Sequence, residues 1–279
     1  MSQLTFDGMP ERLHAASPAR LTTYLDCPRR YRFAYLDRPT PPRGAPWAHT
    51  SVGAAVHTAL ARWWGLARDR RTPAAGGALL DAAWLTDGFR DADQSRRVRA
   101  RARGQVQRYL ADVDPDDEPV GVERTVTVRT GRASLWGRVD RIDDRGGTGL
   151  AVVDYKTGRT PPTADDVGSS LALAVYAAAV ARTLRRTCTR VELHHLPTGS
   201  VVGWDHTTGS LDRQLRRADS LATELATVDE QRGLVTSRAA ADDLFPARVG
   251  SRCGWCDFRS ACGPGQAVPR RLPWAGVED

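Results

Sequence analysis

The 279-residue chain holds a single lysine against 39 arginines. A composition this skewed supplies a guanidinium almost wherever a positive charge will serve. Lys156 therefore marks a place where one does not. An ammonium is a compact point charge with three rotatable donors, whereas a guanidinium is a flat, always-charged fork. The same scarcity excludes a Walker A loop, which needs Gly-Lys-Ser/Thr, because Lys156 follows Tyr155. No apolar run approaches the ~18 residues needed to span a bilayer. Met1–Asp7 lacks a basic-then-apolar signal pattern, so a cytoplasmic protein is expected. Five cysteines are too few and too unevenly placed for a secreted disulfide scaffold.

What is present centres on Val153-Asp154-Tyr155-Lys156-Thr157-Gly158. On a strand, Asp154 and Lys156 share one face and Tyr155 takes the other. A carboxylate for a cation, with an ammonium beside the attacking water or the phosphate, is what a metal-dependent phosphodiester hydrolase needs. Upstream runs Gly137-Arg138-Val139-Asp140-Arg141-Ile142-Asp143, then an Asp/Gly cluster, then Leu150–Asp154. This predicts a hairpin that brings Asp140 to Asp154. Two carboxylates there suit a hard cation such as Mg²⁺. Asp143, three residues on, should face away, so Asp140 is favoured. A helix over residues 50–68 puts Gly53 and His57 four apart on one face. Glycine there is expected to admit the helix close to the sheet, aiming the imidazole at the carboxylates. His14, His49, His194, His195 and His206 have no such company and are read as structural or exposed.

Three cysteines cluster near the end, in Cys253-Gly254-Trp255-Cys256 and at Cys262, while Cys27 lies more than 220 residues upstream beside Pro28. Four thiolates can close a tetrahedral zinc site or hold a [4Fe–4S] cluster. Zinc sites come more often as two C-x-x-C pairs. A single distant fourth ligand favours the iron–sulfur cluster and leaves Zn²⁺ as the alternative. Cys188 is read as a bystander.

With His57, Asp140, Asp154-x-Lys156 and the one-plus-three cysteines in this order, the chain resembles RecB-family nucleases of the PD-(D/E)XK superfamily. More narrowly, it resembles the iron–sulfur branch that includes AddB-type nuclease domains and the CRISPR-adaptation exonucleases. The resemblance runs from Leu21 to Cys262. It implies a restriction-endonuclease-like α/β core, a mixed sheet flanked by helices. It also implies that a [4Fe–4S] cluster on Cys27, Cys253, Cys256 and Cys262 joins an N-terminal helical region to a C-terminal cysteine tail. By the same resemblance His57, Asp140 and Asp154 hold Mg²⁺ or Mn²⁺, and Lys156 assists the water. Family members usually carry Gln-x-x-x-Tyr on the following helix. Here Tyr176 keeps its place as a catalytic candidate, but Ala172 stands for the glutamine.

The resemblance implies a DNA exonuclease acting on single-stranded or frayed ends in repair, recombination or related processing, with any helicase or motor a separate partner. The alternative is a non-catalytic iron–sulfur DNA-binding subunit of a nuclease–helicase complex. A net charge of +7 and a pI of about 9.6 accord with an anionic partner. Arg29, Arg30, Tyr31 and Arg32 beside Cys27 are candidate contacts to a single strand, where bases stack and phosphates pair. The expected layout is an extension over 1–16, one nuclease domain over 17–265 and a tail over 266–279. Within the domain, 17–111 is helical, 120–206 the catalytic sheet and 207–265 the helix and cysteine tail. Residues 17–38 are expected to form one helix.

Overall fold

Apolar residues alternating with polar ones between Gly121 and Asp144 form half-buried strands, and the apolar run Leu150–Val153 adds another strand. In the computed structural model, which describes residues 13–277, these strands belong to a six-stranded mixed sheet. Its strands are β1 (His14–Ala16), β2 (Gly121–Arg129), β3 (Ala133–Asp144), β4 (Leu150–Lys156), β5 (Cys188–His195) and β6 (Ser200–Asp205). β3 carries antiparallel β2 on one edge. Its other edge is shared by β1, parallel over Ala133–Leu135, and β4, antiparallel over Arg141–Asp144. β5 then runs parallel to β4, and β6 returns antiparallel. Leu150–Val153 are wholly buried, as expected of a strand covered on both faces.

Ten helices lie among the described residues: α1 (Pro18–Asp26), α2 (Pro28–Tyr35), α3 (Ala48–Trp64), α4 (Pro73–Ala83), α5 (Ala92–Ala111), α6 (Ala164–Gly168), α7 (Leu171–Leu184), α8 (Thr208–Leu234), α9 (Arg238–Leu244) and α10 (Gly263–Gln266). One face of the sheet packs on α1, α7 and α8, burying Leu21, Leu135, Val152, Val175 and Leu225. The apolar i, i+3, i+4 stripe of α3 (Val52, Val56, Ala59, Leu60, Trp63) packs with α4 and α5 against Val153 and Tyr155 on the other. The mixed sheet between helical layers agrees with the expected core.

Three boundaries differ from expectation. The helix expected over 17–38 is broken in two at Cys27, which is extended (φ −165°, ψ 109°). The proline that follows disfavours helical geometry at the preceding residue. Residues 1–12 of the expected N-terminal extension lie outside the described residues, but His14–Ala16 belong to the sheet. The expected tail is likewise docked: Val277 is buried in the α3–α5 core, and Pro273 accepts the Ala48 N–H. No helix among the described residues is long and apolar enough to cross a membrane.

Candidate active site

The β3–β4 hairpin and α3 build the site. Tyr155 donates its backbone N–H to Asp140 Oδ2 at 2.9 Å, so the Asp140 carboxylate lies directly beside β4. From above, α3 brings His57 Nδ1 to 3.3 Å from Asp140 Oδ1, with the imidazole edge-on to the Tyr155 ring. Gly53 faces the end of β4, but a Cβ there would meet Thr157 Oγ1 at an ordinary 3.5 Å. The approach of α3 thus does not require glycine, contrary to expectation. At the strand end Lys156 Nζ lies 2.6 Å from Asp154 Oδ2. Asp143 instead pairs with Arg141 and Arg145.

One carboxylate was not foreseen. Glu123, the sole acidic residue of β2, stands across the ladder from Asp140, between the pairs Val122–Arg141 and Arg124–Val139. Ligand atoms of His57, Glu123 and Asp140 all lie within 4.8 Å of one another. Asp154 is outside that trio, held by Lys156, although its charge reaches His57. The signal available in the sequence was a lone glutamate in an otherwise Val/Thr/Arg strand.

The electrostatics follow from packing acids together. Burial alone would lower the His57 pKa, but the hydrogen bond and charge of Asp140, with Asp154 and Glu123, outweigh it and raise the value. Burial raises Asp154; Lys156 opposes and Asp140 adds, leaving the carboxyl above its ordinary range. Glu123 is also raised, chiefly by burial, against Arg138. Carboxylates crowded in this way have affinity for a cation that would relieve the repulsion. Two carboxylates and an imidazole this close together could hold a divalent cation. Tyr176 on α7 lies against β3, where a Cβ on Gly137 would come within 2.3 Å of its ring. Only glycine fits there. Burial, then Asp154 and Asp140, raise the Tyr176 phenol.

Cys27, Cys253 and Cys256 line one cavity of about 360 Å³ together with Arg30, Arg248 and Arg252. Cys262 is buried nearby: a Cβ on Gly265 would lie 3.3 Å from its Sγ and 3.9 Å from Cys253 Cβ. Arg252 pairs with Asp26, and Arg248 donates to the Leu25 carbonyl, so the end of α1 meets the segment that carries Cys253. Cys188 is in the sheet core, away from this cavity, its thiol pushed up to about 12 by burial.

The proposed single-strand contacts beside Cys27 need correction. Arg29 donates to the Phe245 and Asp242 carbonyls, and Arg32 pairs with Asp37 and Asp242. Tyr31 is fully buried, bonded to Asp229 and Arg20. These three are buried and turned toward internal partners, which leaves them unable to meet a strand. Only Arg30 turns outward, into the cysteine cavity.

The model of the PD-(D/E)XK nuclease superfamily matches residues 15–263. A solved structure described as the crystal structure of SSO0001 is similar at 12% identity and a TM-score of 0.41, covering 91% of this chain and 88% of that one. No curated protein matches the chain. Because the family match takes in the hairpin, His57, Lys156 and Tyr176, the chain belongs to the PD-(D/E)XK nuclease superfamily.

Proposed function

We propose that the chain is a Mg²⁺- or Mn²⁺-dependent deoxyribonuclease, an exonuclease working on single-stranded or frayed ends in DNA repair or related processing. The convergence of His57, Glu123 and Asp140 beside the Asp154–Lys156 pair carries this reading. His57, Glu123, Asp140 and Asp154 would hold the cation. When bound, it would supply an activated water and stabilise charge on the phosphate. Lys156 places its ammonium where it can orient that water or meet a phosphate oxygen. Tyr155 fixes the Asp140 carboxylate through its backbone N–H. Tyr176 closes the site from α7, as a phenol kept protonated.

The cysteine cavity supports a [4Fe–4S] cluster on Cys27, Cys253, Cys256 and Cys262. Three of the thiols and three arginines share its wall. Cationic side chains stabilise thiolates and the anionic cluster they form. Zinc is the competing occupant. The cluster's role is to tie the α1–α2 corner to the C-terminal segment. A helicase partner supplies any motor function.

Incubating anaerobically purified protein with end-labelled single and double strands, with Mn²⁺ or with chelator, tests the reading. Metal-dependent shortening of single strands is expected. Binding without cleavage under every condition would favour the subunit reading, toward which Ala172 in the usual glutamine position points.

A further inference from the structure

Along β3, Leu135, Gly137 and Val139 turn inward, while Trp136, Arg138 and Asp140 take the opposite side. That side is uncovered over the outer half of the β2–β3 hairpin. Trp136 is 48% exposed, with about half of its surface in water. Thr127 stands opposite it on β2 and Thr125 opposite Arg138, both exposed as well. The Arg138 side chain is 69% exposed, and its Nε lies 2.7 Å from Glu123 Oε2. Arg129 and Arg132 are exposed at the far end of the hairpin. A continuous strip thus leads from an exposed aromatic, past arginine, to the carboxylates. At ~3.3 Å per residue, Trp136 stands roughly 13 Å from Asp140 along the strand, a few nucleotides from the site.

We propose that Trp136 is a base-stacking platform on a single-strand track leading into the site, with Arg138 and Arg129 pairing the backbone phosphates. The inference rests on the nuclease reading above and adds to it the surface that selects the strand. Every unpaired base offers a π-face to an aromatic ring, whatever the sequence. A duplex keeps those faces internally stacked, so Trp136 discriminates in favour of single strands and frayed ends. Hydroxyls at Thr125 and Thr127 leave the strip flat enough for a strand to lie on. Arg138 links track and site, since the guanidinium that would meet a phosphate also contacts Glu123.

Anisotropy of a labelled oligothymidylate, measured in chelator so that the strand stays whole, tests the proposal. Trp136→Ala should weaken binding roughly ten- to a hundredfold, the range for loss of one stacked base. Trp136→Phe should retain most of the affinity, and a blunt duplex should be far less affected. Because Trp136 is exposed, both variants should keep the wild-type melting temperature and Mn²⁺ affinity. Wild-type affinity for the oligothymidylate in Trp136→Ala, with cleavage by the wild type intact, would overturn the Trp136 inference alone. A wild-type protein that neither binds nor cuts any strand would overturn the nuclease reading and this inference together.

Discussion

Glu123 and Asp140 face each other across the β2–β3 ladder, and the Glu123 backbone is held at φ 49°, in the left-handed region. A non-glycine residue there is strained. Such strain persists where the surrounding structure holds a side chain in a working position. The Glu123 carboxylate lies near the ligand atoms of His57 and Asp140.

Glu123→Gly should therefore separate stability from function. It relieves about 1–2 kcal/mol of left-handed strain while adding back roughly 1 kcal/mol of chain entropy. The melting temperature should stay near wild type. Mn²⁺ affinity, read by titration calorimetry, should fall roughly tenfold or more, as in Glu123→Gln. Unchanged Mn²⁺ affinity in both variants would remove Glu123 from the site.

Lys156→Arg should fold normally, because the side chain is 47% exposed. Its cleavage rate should drop on the order of 10²-fold, since a planar fork cannot take the ammonium's place beside Asp154 and the water. Robust cleavage would defeat the argument from the single lysine.

Anaerobic preparations should be brown with about four irons per chain, and Cys188→Ala should keep that iron. Cys27→Ala should lose metal and lower stability by roughly 4–5 kcal/mol, if loop-closure arithmetic transfers to a metal staple. Limited proteolysis should then cut near α1 and α2. A colourless protein holding one zinc would reassign the metal while leaving the staple.

Acid should destabilise the fold through Glu192. Burial favours its neutral form, but hydrogen bonds from His194 and Arg190 and the charge of Arg145 prevail, lowering the carboxyl from 4.5 to about 2. The unfolded chain then binds more protons than the folded one. The contribution, on the order of 3 kcal/mol, is complete above pH 4.5 and lost as pH falls toward 2. His194, lowered chiefly by its own burial, adds a loss that begins below pH 6.5. Urea denaturation at pH 7 and pH 4 should show this decline, and Glu192→Gln should flatten its lower part.

The hairpin was legible because its alternation and its Asp/Gly break are local. The hairpin expected from Gly137–Asp143 and Leu150–Asp154 appears as Ala133–Asp144 and Leu150–Lys156. Asp140 falls beside β4 for the same reason. Glu123 showed in the sequence only as a lone glutamate on its strand, because its left-handed backbone angle is announced by no motif. Arg29, Tyr31 and Arg32 misled for a different reason. Their neutralising partners, Asp37, Asp229 and Asp242, come mostly from α8 and α9, about 200 residues away in sequence. In a chain with 39 arginines a basic cluster says little about which guanidiniums reach solvent.

Whether Asp140 holds a catalytic cation is decided by the Mn²⁺-dependent cleavage rate of an end-labelled single strand by the wild type and by Asp140→Asn. Asp140 bridges His57 on α3 and the backbone of β4, so its carboxylate is the centre of the proposed cation site. Metal-dependent cleavage by the wild type is expected, with a loss of roughly 10²-fold or more in the folded variant. Cleavage by Asp140→Asn at the wild-type rate, or by the wild type in chelator, would contradict that role.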